Sequence, residues 1–270
     1  MNRNMNRDLG KPIALGRTAE IYAWENGQVL KLFFDWFKLE DIEFEQHMNR
    51  TVHASGLPVP APGGIIQVNG RIGLEYERVD GVNMWETLAR QPWRLFEFAR
   101  RTAELHVEMH AANILPDIPS QRRRLERKIG GADPLSSSLK QAMLEALSSL
   151  PDGDRLCHGD FHPGNILIAG HGPVIIDWID ASRGNPLADV ARTTIIALGA
   201  VGSSQVPNKG LRFLLRLFHT AYLQRYFHLR PGGFNEYRRW LPVVAAARLN
   251  ENMPELEGWL LAQAQKGLES

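Results

Sequence analysis

Polar and turn-forming residues are concentrated between positions 158 and 165, where the sequence reads His-Gly-Asp-Phe-His-Pro-Gly-Asn. Asp160 and Asn165 lie five residues apart in this cluster, and Asp177 follows the second of two short hydrophobic runs downstream. A hairpin formed by those runs would bring the three side-chain oxygens together. Hard oxygen ligands of this kind suit Mg²⁺, which keeps several waters and bridges substrate phosphates. The competing interpretation is that Asp160 and Asn165 only stabilise turns.

The spacing of Asp160, Asn165 and Asp177 is that of a kinase catalytic loop, in which the Asp faces the hydroxyl that accepts the phosphoryl group. The runs His-Gly-Asp-Phe-His-Pro-Gly-Asn-Ile-Leu and Ile-Asp-Trp-Ile-Asp-Ala-Ser-Arg-Gly-Asn-Pro resemble the signature of aminoglycoside phosphotransferases and their relatives, such as choline and fructosamine kinases. The resemblance extends from about Ile13 to Leu249. It implies that Asp160 is the catalytic residue, that Asn165 and Asp177 hold Mg²⁺, and that His158 anchors the loop.

Phosphoryl transfer passes through a loose transition state, so catalysis consists mainly of positioning and charge neutralisation. The carboxylate of Asp160 would orient the acceptor hydroxyl and take its proton late. Mg²⁺ on Asn165 and Asp177 would offset the charge of the phosphate oxygens. Three further family positions, Asp180, Asp189 and Arg192, are interpreted as mainly structural, with Asp180 as a group that supports the metal ligands.

A kinase also needs a strand Lys that holds the nucleotide phosphates and a helical Glu that holds the Lys. Lys31 is a lone cation in the apolar run Val-Leu-Lys-Leu-Phe, where burial is costly without a partner. The resemblance places the Glu at Glu45, and Glu43 remains the alternative. A surface lysine is the competing interpretation of Lys31.

The segment around Thr18 occupies the position of the phosphate loop, although it contains a single glycine, Gly16. The Thr18 hydroxyl or nearby backbone amides would meet phosphate oxygens, and an ordinary hairpin turn is the equal alternative. Further along, the resemblance assigns the hinge that meets adenine to Glu77 through its carbonyl and to Val79 through its amide. The nucleotide implied is ATP, with GTP as the alternative.

The surrounding sequence predicts the elements that must position these residues. From Lys11 to about Val79 the chain alternates short β-rich runs with turns, and after Gly81 it is mainly helical with a short β-like island. The sequence predicts hairpins around Asn26-Gly27 and Asn69-Gly70. Helices are predicted over 39–54, 95–111, 135–150, 211–226 and 234–250, and a further hairpin over 165–168 and 174–176.

Together with the resemblance, this pattern predicts an α+β, bilobal, protein-kinase-like fold. Residues 1–79 would form the N-terminal nucleotide-binding lobe, a small antiparallel β-sheet with one helix. Residues 80–270 would form the larger, mainly helical C-terminal lobe, which carries a small β-hairpin and the catalytic and substrate-binding residues.

Composition limits the classes of partner. The 270 residues include 31 Lys and Arg against 30 Asp and Glu, which gives a net charge of +1. This balance gives no electrostatic reason to expect nucleic acid or an anionic membrane as a partner. The chain shows no apolar signal segment, and its single cysteine, Cys157, cannot form an intrachain disulfide. The sequence therefore predicts a cytoplasmic protein.

Two other functions compete with an ATP-dependent phosphotransferase. His158, Asp160 and His162 alternate as potential ligands of a metal-dependent hydrolase, but Gly159, Pro163 and Gly164 favour a loop. A kinase-like nucleotide-binding protein without turnover is the second alternative, although every expected polar position is filled. The acceptor is predicted to be a hydroxyl of a small molecule, which leaves aminoglycoside-like, sugar-like and amino-alcohol compounds open. The oligomeric state also stays open.

Overall fold

The computed structural model describes residues 4–112, 118–202 and 208–268. The chain divides into two compact units. Unit 1 comprises Met1–Asn83 and Ile166–Ile179, and unit 2 comprises Met84–Asn165 and Asp180–Ser270. The sequence analysis places the boundary after Val79 and the hairpin near 166–176 in the second lobe. The hairpin groups with unit 1 instead because one of its strands pairs with residues 81–83.

Unit 1 contains a six-stranded sheet in the order β1-β5-β6-β4-β3-β2, antiparallel except where β1 pairs with β5. Both Asn-Gly hairpins are confirmed. Asn26 and Asn69 have φ of 52° and 51°, and Gly27 and Gly70 have φ of 71° and 81°. This left-handed backbone is what the Asn-Gly pair permits in a tight hairpin. The strands are β1 (Asn4–Met5), β2 (Ala14–Leu15), β3 (Ala19–Ala23), β4 (Gln28–Phe33), β5 (Pro62–Val68) and β6 (Arg71–Glu77).

The helix α1 (Leu39–Ala54) packs on this sheet, and its bounds are the predicted ones. Ile42 joins Phe33 and Leu74 in the core between helix and sheet. Glu45 lies on the buried part of the same helix and is 1% exposed. The chain leaves the helix through Gly56, whose φ of 80° ends the helical path. The helix therefore carries a carboxylate into the interior of unit 1.

A second sheet in unit 1 has the order β10-β9-β7, with β7 (Gly81–Asn83), β9 (Ile166–Ala169) and β10 (Gly172–Ile175). The predicted hairpin is confirmed with shifted bounds. Gly172 pairs with Ala169 and has φ of 124°, so the turn is shorter than the loop between the predicted strands. Ile175 pairs with Ile166, which brings the open ends of the hairpin together.

Unit 2 is mainly helical and also contains a small sheet of β8 (Arg155–Cys157) and β11 (Ser182–Gly184). The four helices predicted here are confirmed, with ends shifted by up to three residues. Among residues 4–112, 118–202 and 208–268, no helix combines the length and apolarity needed to cross a bilayer. The helices are α2 (Met84–Arg90), α3 (Leu95–Ala111), α4 (Gln121–Gly130), α5 (Ser137–Ser149), α6 (Pro186–Gly202), α7 (Lys209–Leu229), α8 (Phe234–Arg248) and α9 (Pro254–Gln265).

Candidate active site

Lys31 lies in the middle of β4, and its ammonium group is held by two carboxylates of unit 1. Nζ is 2.7 Å from Glu45 Oε1 and 3.5 Å from Asp177 Oδ1. The Lys31 side chain is 14% exposed, so the interpretation as a surface lysine is wrong. Glu43 is exposed on α1, whereas Glu45 is buried, which settles the choice of partner left open by the sequence.

The Glu45 carboxylate is itself positioned by neighbouring polar groups. Tyr76 donates its hydroxyl hydrogen to Glu45 Oε1 at 2.8 Å, and Asn49 Nδ2 lies 2.9 Å from the Tyr76 oxygen. Burial and the negative charge of Glu45 raise the pKa of Tyr76 well above its ordinary value, so the phenol stays protonated and donates. The other carboxylate oxygen, Glu45 Oε2, is buried and has no hydrogen-bond partner among the described residues. Among the described residues, one oxygen of the Glu45 carboxylate is therefore left without a hydrogen-bond donor.

The charge on Lys31 results from two opposing effects. Burial lowers the pKa of the ammonium, but the charges of Glu45 and Asp177 outweigh it and raise the pKa above the ordinary value. Lys31 therefore stays cationic at physiological pH and can hold anionic groups such as nucleotide phosphates.

Removing the partner of Lys31 tests this ion pair. We expect Glu45→Gln to lower the free energy of unfolding by about 1–3 kcal/mol, because a buried cation loses its closest countercharge. Glu43→Gln is the matched control on the exposed side of α1, with an expected change within about 0.5 kcal/mol. Urea denaturation of both variants measures the difference. Equal effects in the two variants would contradict the pairing.

Asp177 offers a carboxylate on a constrained backbone. It follows β10, has φ of 66°, and its side chain is 42% exposed. A non-glycine residue in this left-handed region is uncommon, and such residues occur often at functional sites. One carboxylate oxygen faces Lys31, and the exposed carboxylate also suits a hard cation such as Mg²⁺.

In unit 2, Asp160 lies in the loop between β8 and the 3₁₀ turn Pro163–Asn165. Asn165 Nδ2 donates to the backbone oxygen of Asp160 at 2.9 Å and to its Oδ2 at 3.3 Å. Arg192 donates to Asp160 Oδ1 at 3.4 Å and to the backbone oxygen of Gly159 at 2.9 Å. Because Asn165 Nδ2 is engaged in these hydrogen bonds, Oδ1 is the side-chain atom of Asn165 that can bind a cation.

His162 also faces the Asp160 carboxylate. Its Nδ1 accepts a hydrogen bond from the Gly164 amide at 3.0 Å, which leaves the hydrogen on Nε2, 3.6 Å from Asp160 Oδ2. Burial alone would raise the pKa of Asp160. His162, Arg192 and His158 together outweigh this effect and hold the pKa well below its ordinary value. The carboxylate is therefore anionic throughout the pH range of a folded protein, and its 30% exposure keeps it accessible.

A buried carboxylate fixes the backbone of the loop that carries Asp160. Asp189, on α6, accepts hydrogen bonds from the backbone amides of His158 at 2.8 Å and Gly159 at 2.9 Å. Two histidines of α3 reach the same carboxylate: the Nε2 atoms of His106 and His110 lie 3.1 and 3.3 Å from its Oδ2. A carboxylate only accepts hydrogen bonds, so each Nε2 carries a hydrogen.

Two tyrosines complete this network from α7. Tyr222 lies 2.6 Å from His106 Nδ1, and Tyr226 lies 2.9 Å from His110 Nδ1. Burial, followed by the neighbouring His106, lowers the pKa of His110 to about 3, so this imidazole is neutral and accepts from Tyr226. The sequence interpretation of Asp189 as a structural residue agrees with these contacts. The two histidines are four residues apart on α3, and this spacing could have indicated that they share one face of the helix. Nothing in the sequence indicated that Asp189, Tyr222 and Tyr226 are their partners.

His158 has the anchoring contact that the resemblance implies, because its Nδ1 accepts a hydrogen bond from the Asp160 amide at 3.2 Å. The hydrolase alternative requires His158, Asp160 and His162 to converge on one ion. Within the described residues, the cluster of potential metal ligands is instead His106, His110 and Asp189, whose hydrogen bonds are given above. The predicted hydrolase cluster does not form.

The remaining predicted nucleotide contacts lie in unit 1. Thr18 is in the turn between β2 and β3, and its carbonyl accepts from the Phe34 amide at 3.0 Å, which extends the pairing of β3 with β4. Glu77 ends β6 and accepts from the Ala61 amide through Oε2 at 3.1 Å. Val79 follows it and is half-buried. Their roles in binding a nucleotide stay predictions.

Comparison with known proteins adds independent findings. The profile of a family described as the phosphotransferase enzyme family matches residues 10–240. No curated protein matches the sequence significantly.

Solved structures share the fold at low identity. A thermostable mutant of aminoglycoside phosphotransferase APH(4)-Ia, in a ternary complex with ADP and hygromycin B, has a TM-score of 0.66 at 15% identity, over 96% of this chain and 92% of that one. A choline/ethanolamine kinase family protein from Mesorhizobium loti has a TM-score of 0.63 at 14% identity, with 96% and 88% covered. Amicoumacin kinase hAmiN, in complex with AMP-PNP, Ca²⁺ and Ami, has a TM-score of 0.62 at 16% identity, with 96% and 87% covered.

Proposed function

This chain belongs to the phosphotransferase enzyme family, and we propose that it moves the γ-phosphate of ATP to a hydroxyl group of a small molecule. The observation that carries this proposal is the Asp160 carboxylate, which accepts a hydrogen bond from Asn165 and which Arg192 and His162 hold in its anionic form. Such a group can accept a hydrogen bond from a hydroxyl and aim its oxygen at a phosphorus atom.

The reaction forms a bond between the acceptor oxygen and the γ-phosphorus and breaks the bond from that phosphorus to the β–γ bridging oxygen, so that ADP leaves. Asp160 takes the hydroxyl proton. Because the pKa of Asp160 is held low, it is a weak base, and the proton moves only after the new P–O bond has made the hydroxyl acidic. A late proton transfer of this kind fits the loose transition state of phosphoryl transfer.

The nucleotide phosphates would be held by Lys31, which Glu45 keeps aligned. A second cation fits the donor chemistry of Asn165 and Asp177, which offer an amide oxygen and an exposed carboxylate. We assign Mg²⁺ to these two residues, and when bound it would neutralise charge on the phosphate oxygens. Thr18 and the backbone of Glu77 and Val79 complete the proposed nucleotide contacts.

Compounds named with the similar structures indicate the range of acceptors. One structure holds hygromycin B, one is of an amicoumacin kinase, and one is of a choline/ethanolamine kinase family protein. The acceptor proposed here is accordingly an aminoglycoside-like, sugar-like or amino-alcohol compound with a free hydroxyl.

A substrate panel tests the proposal. We expect Mg·ATP to raise the melting temperature, and at least one hydroxyl compound of a broad panel to be phosphorylated, as detected by ADP release and by mass spectrometry. Binding of Mg·ATP without any phosphorylated product would favour a nucleotide-binding protein without turnover. A melting temperature that responds to Zn²⁺ alone, and not to Mg·ATP, would contradict the kinase function itself.

A further inference from the structure

We propose that Glu251, in the turn after α8, is a positioning residue for phosphoryl transfer. It holds Arg192 back from the Asp160 carboxylate, so that this carboxylate stays free to accept a hydrogen bond from the acceptor hydroxyl. The inference rests on the proposed function, because it takes Asp160 as the group that receives the hydroxyl proton. All three residues belong to unit 2.

One nitrogen of Arg192 faces both carboxylates. Its Nη2 atom lies 2.8 Å from Glu251 Oε1 and 3.4 Å from Asp160 Oδ1. Nε of the same guanidinium donates to the backbone oxygen of Gly159 at 2.9 Å. Hydrogen bonds between a cationic N–H and a carboxylate are ordinarily about 2.7–2.9 Å long. Arg192 therefore makes its full ion pair with Glu251 and only a long contact with Asp160.

The shape of the guanidinium links these contacts to one another. Its N–H groups point in fixed directions, so the bonds to Gly159 and Glu251 together set the position and the tilt of the group. The Arg192 side chain is 11% exposed, and charges interact strongly where water is largely excluded. Without the charge of Glu251, Asp160 is the carboxylate that remains in ion-pair contact with Nη2 among the described residues.

The ionisation of the two residues agrees with this division. Burial would lower the pKa of Arg192, but the charge of Glu251, followed by that of Asp160, outweighs burial and raises the pKa above its ordinary value. Burial would raise the pKa of Glu251, but chiefly the charges of Arg192 and Lys128 lower it to about 2. Both residues are therefore charged at physiological pH, and Glu251 is the stronger countercharge of Arg192.

Glu251 comes from a turn that is tied to a neighbouring helix. The 3₁₀ turn Leu249–Glu251 follows α8 directly. Within it, Asn250 donates from Nδ2 to the backbone oxygen of Gly131 at 2.7 Å, which joins the turn to the end of α4. The Glu251 side chain is 17% exposed. The turn therefore presents this carboxylate to Arg192 from a fixed backbone, as a positioning role requires.

The arrangement preserves the oxygen atoms of Asp160 for the acceptor. The Asp160 side chain is 30% exposed, and a carboxylate can accept several hydrogen bonds. A closer Arg192 would occupy Oδ1 and would lower the basicity of the group that must take the hydroxyl proton. Neither Arg192 nor Glu251 is among the residues proposed to hold the nucleotide or Mg²⁺. We therefore expect the loss of Glu251 to slow the chemical step and to leave nucleotide binding unchanged.

The experiment measures single-turnover phosphoryl transfer from Mg·ATP with water as the acceptor, and with the compound that the substrate panel identifies. With water, the oxygen bonds to the γ-phosphorus, ADP leaves and Asp160 takes the proton. We expect Glu251→Gln to lower the rate constant by about 10–100-fold. The Kd for Mg·ADP, measured by calorimetry, should change by no more than about twofold.

Lys128→Gln is the matched control. Lys128 contacts the same oxygen of Glu251 at 3.1 Å, and its other ion pair among the described residues is with Asp180 rather than with Asp160. The substitution removes a buried charge from the same cluster and leaves the pair of Glu251 with Arg192 in place. We expect the rate constant to stay within about twofold of that of the unmodified chain.

A double-mutant cycle shows whether Glu251 acts through Arg192. In the Arg192→Gln background, Glu251→Gln should change the rate constant by no more than about twofold, because the cation that it positions is absent. Equal factors in the two backgrounds would indicate a merely structural role and would overturn the proposal. The proposal is also overturned if Glu251→Gln leaves the rate constant unchanged, or if Lys128→Gln lowers it equally.

Two further variants keep the test decisive. If circular dichroism shows that Glu251→Gln does not fold, Glu251→Asp takes its place, because it keeps the charge and withdraws the carboxylate by one methylene group. The same direction of loss is expected, and an unchanged rate constant contradicts the proposal. Asp160→Asn in the same assays tests the proposed function itself: turnover that does not depend on Asp160, or no turnover by the unmodified chain, removes that function and this inference together. A loss in Asp160→Asn without a loss in the Glu251 variants overturns the inference alone.

Discussion

We expect Asp160→Asn to lower kcat for phosphoryl transfer by about 10²–10⁴-fold while the affinity for Mg·ATP changes by no more than about twofold. The substitution removes the anionic oxygen that would orient the acceptor hydroxyl and receive its proton. The amide that replaces it still fills the volume between Asn165 and Arg192. The loss therefore falls on the chemical step, which single-turnover measurements of product formation would report.

A matched control separates this effect from a general loss of charge in unit 2. Asp154→Asn changes a carboxylate that is 83% exposed, and we expect kcat to be unchanged. The pH profile supplies a second check. Because the folded pKa of Asp160 is depressed, its carboxylate stays ionised as the pH falls past the ordinary value for an aspartic acid. An acidic limb at that ordinary value, removed by Asp160→Asn, would contradict the electrostatic description of the site.

The sequence predicted the site residues best where local spacing decides the geometry. Asp160 and Asn165 are five residues apart in a loop shaped by glycines and a proline, so their contact depends on a short segment of chain. The Asn-Gly hairpins and α1 were predicted for the same reason, because dihedral preference and helical periodicity are properties of neighbouring residues. The sequence resemblance also favoured Glu45 as the partner of Lys31, and the structure excludes Glu43.

Contacts between distant parts of the chain were not predictable in this way. Glu251, in the turn after α8, is mostly buried and pairs with Arg192 and Lys128, which nothing in the local sequence indicates. Arg192 was interpreted as structural, and the structure adds its contact with Asp160. Which charges meet depends on how α4, α6 and α8 pack, and a single sequence carries no direct signal for that packing.

The grouping of the β9–β10 hairpin with unit 1 has the same origin. Periodicity identified the two strands, but it could not show that β7 pairs with β9. Gly81 permits this pairing, because a Cβ at that position would lie 2.9 Å from the Ile168 carbonyl oxygen. In the sequence, a close contact between two backbone segments of this kind is indicated only by a glycine. A glycine after Val79-Asp80 is equally typical of a turn.

Replacing Asp189 is expected to have the largest effect on stability, a loss of about 3–5 kcal/mol in the free energy of unfolding for Asp189→Ala. The carboxylate is fully buried and accepts from two backbone amides and two imidazoles. Its removal leaves two backbone N–H groups and two imidazole N–H groups without their acceptor, and three of the four are buried. Burial would otherwise raise its pKa, but the hydrogen bonds from His106 and His110 lower it well below the ordinary value, so the network depends on the anion.

Asp189→Asn provides the sharper comparison because it keeps the volume and removes the charge. The asparagine amide would place its own N–H group opposite an N–H donor that hydrogen-bonds to a carboxylate oxygen in the unmodified protein. We therefore expect Asp189→Asn to recover only part of the stability lost in Asp189→Ala. Asp133→Ala, at an exposed position of unit 2, should change the free energy of unfolding by no more than about 0.5 kcal/mol. Denaturant titration measures all three variants. If Asp189→Ala cost as little as Asp133→Ala, the buried carboxylate would not be what holds the Asp160 loop in place.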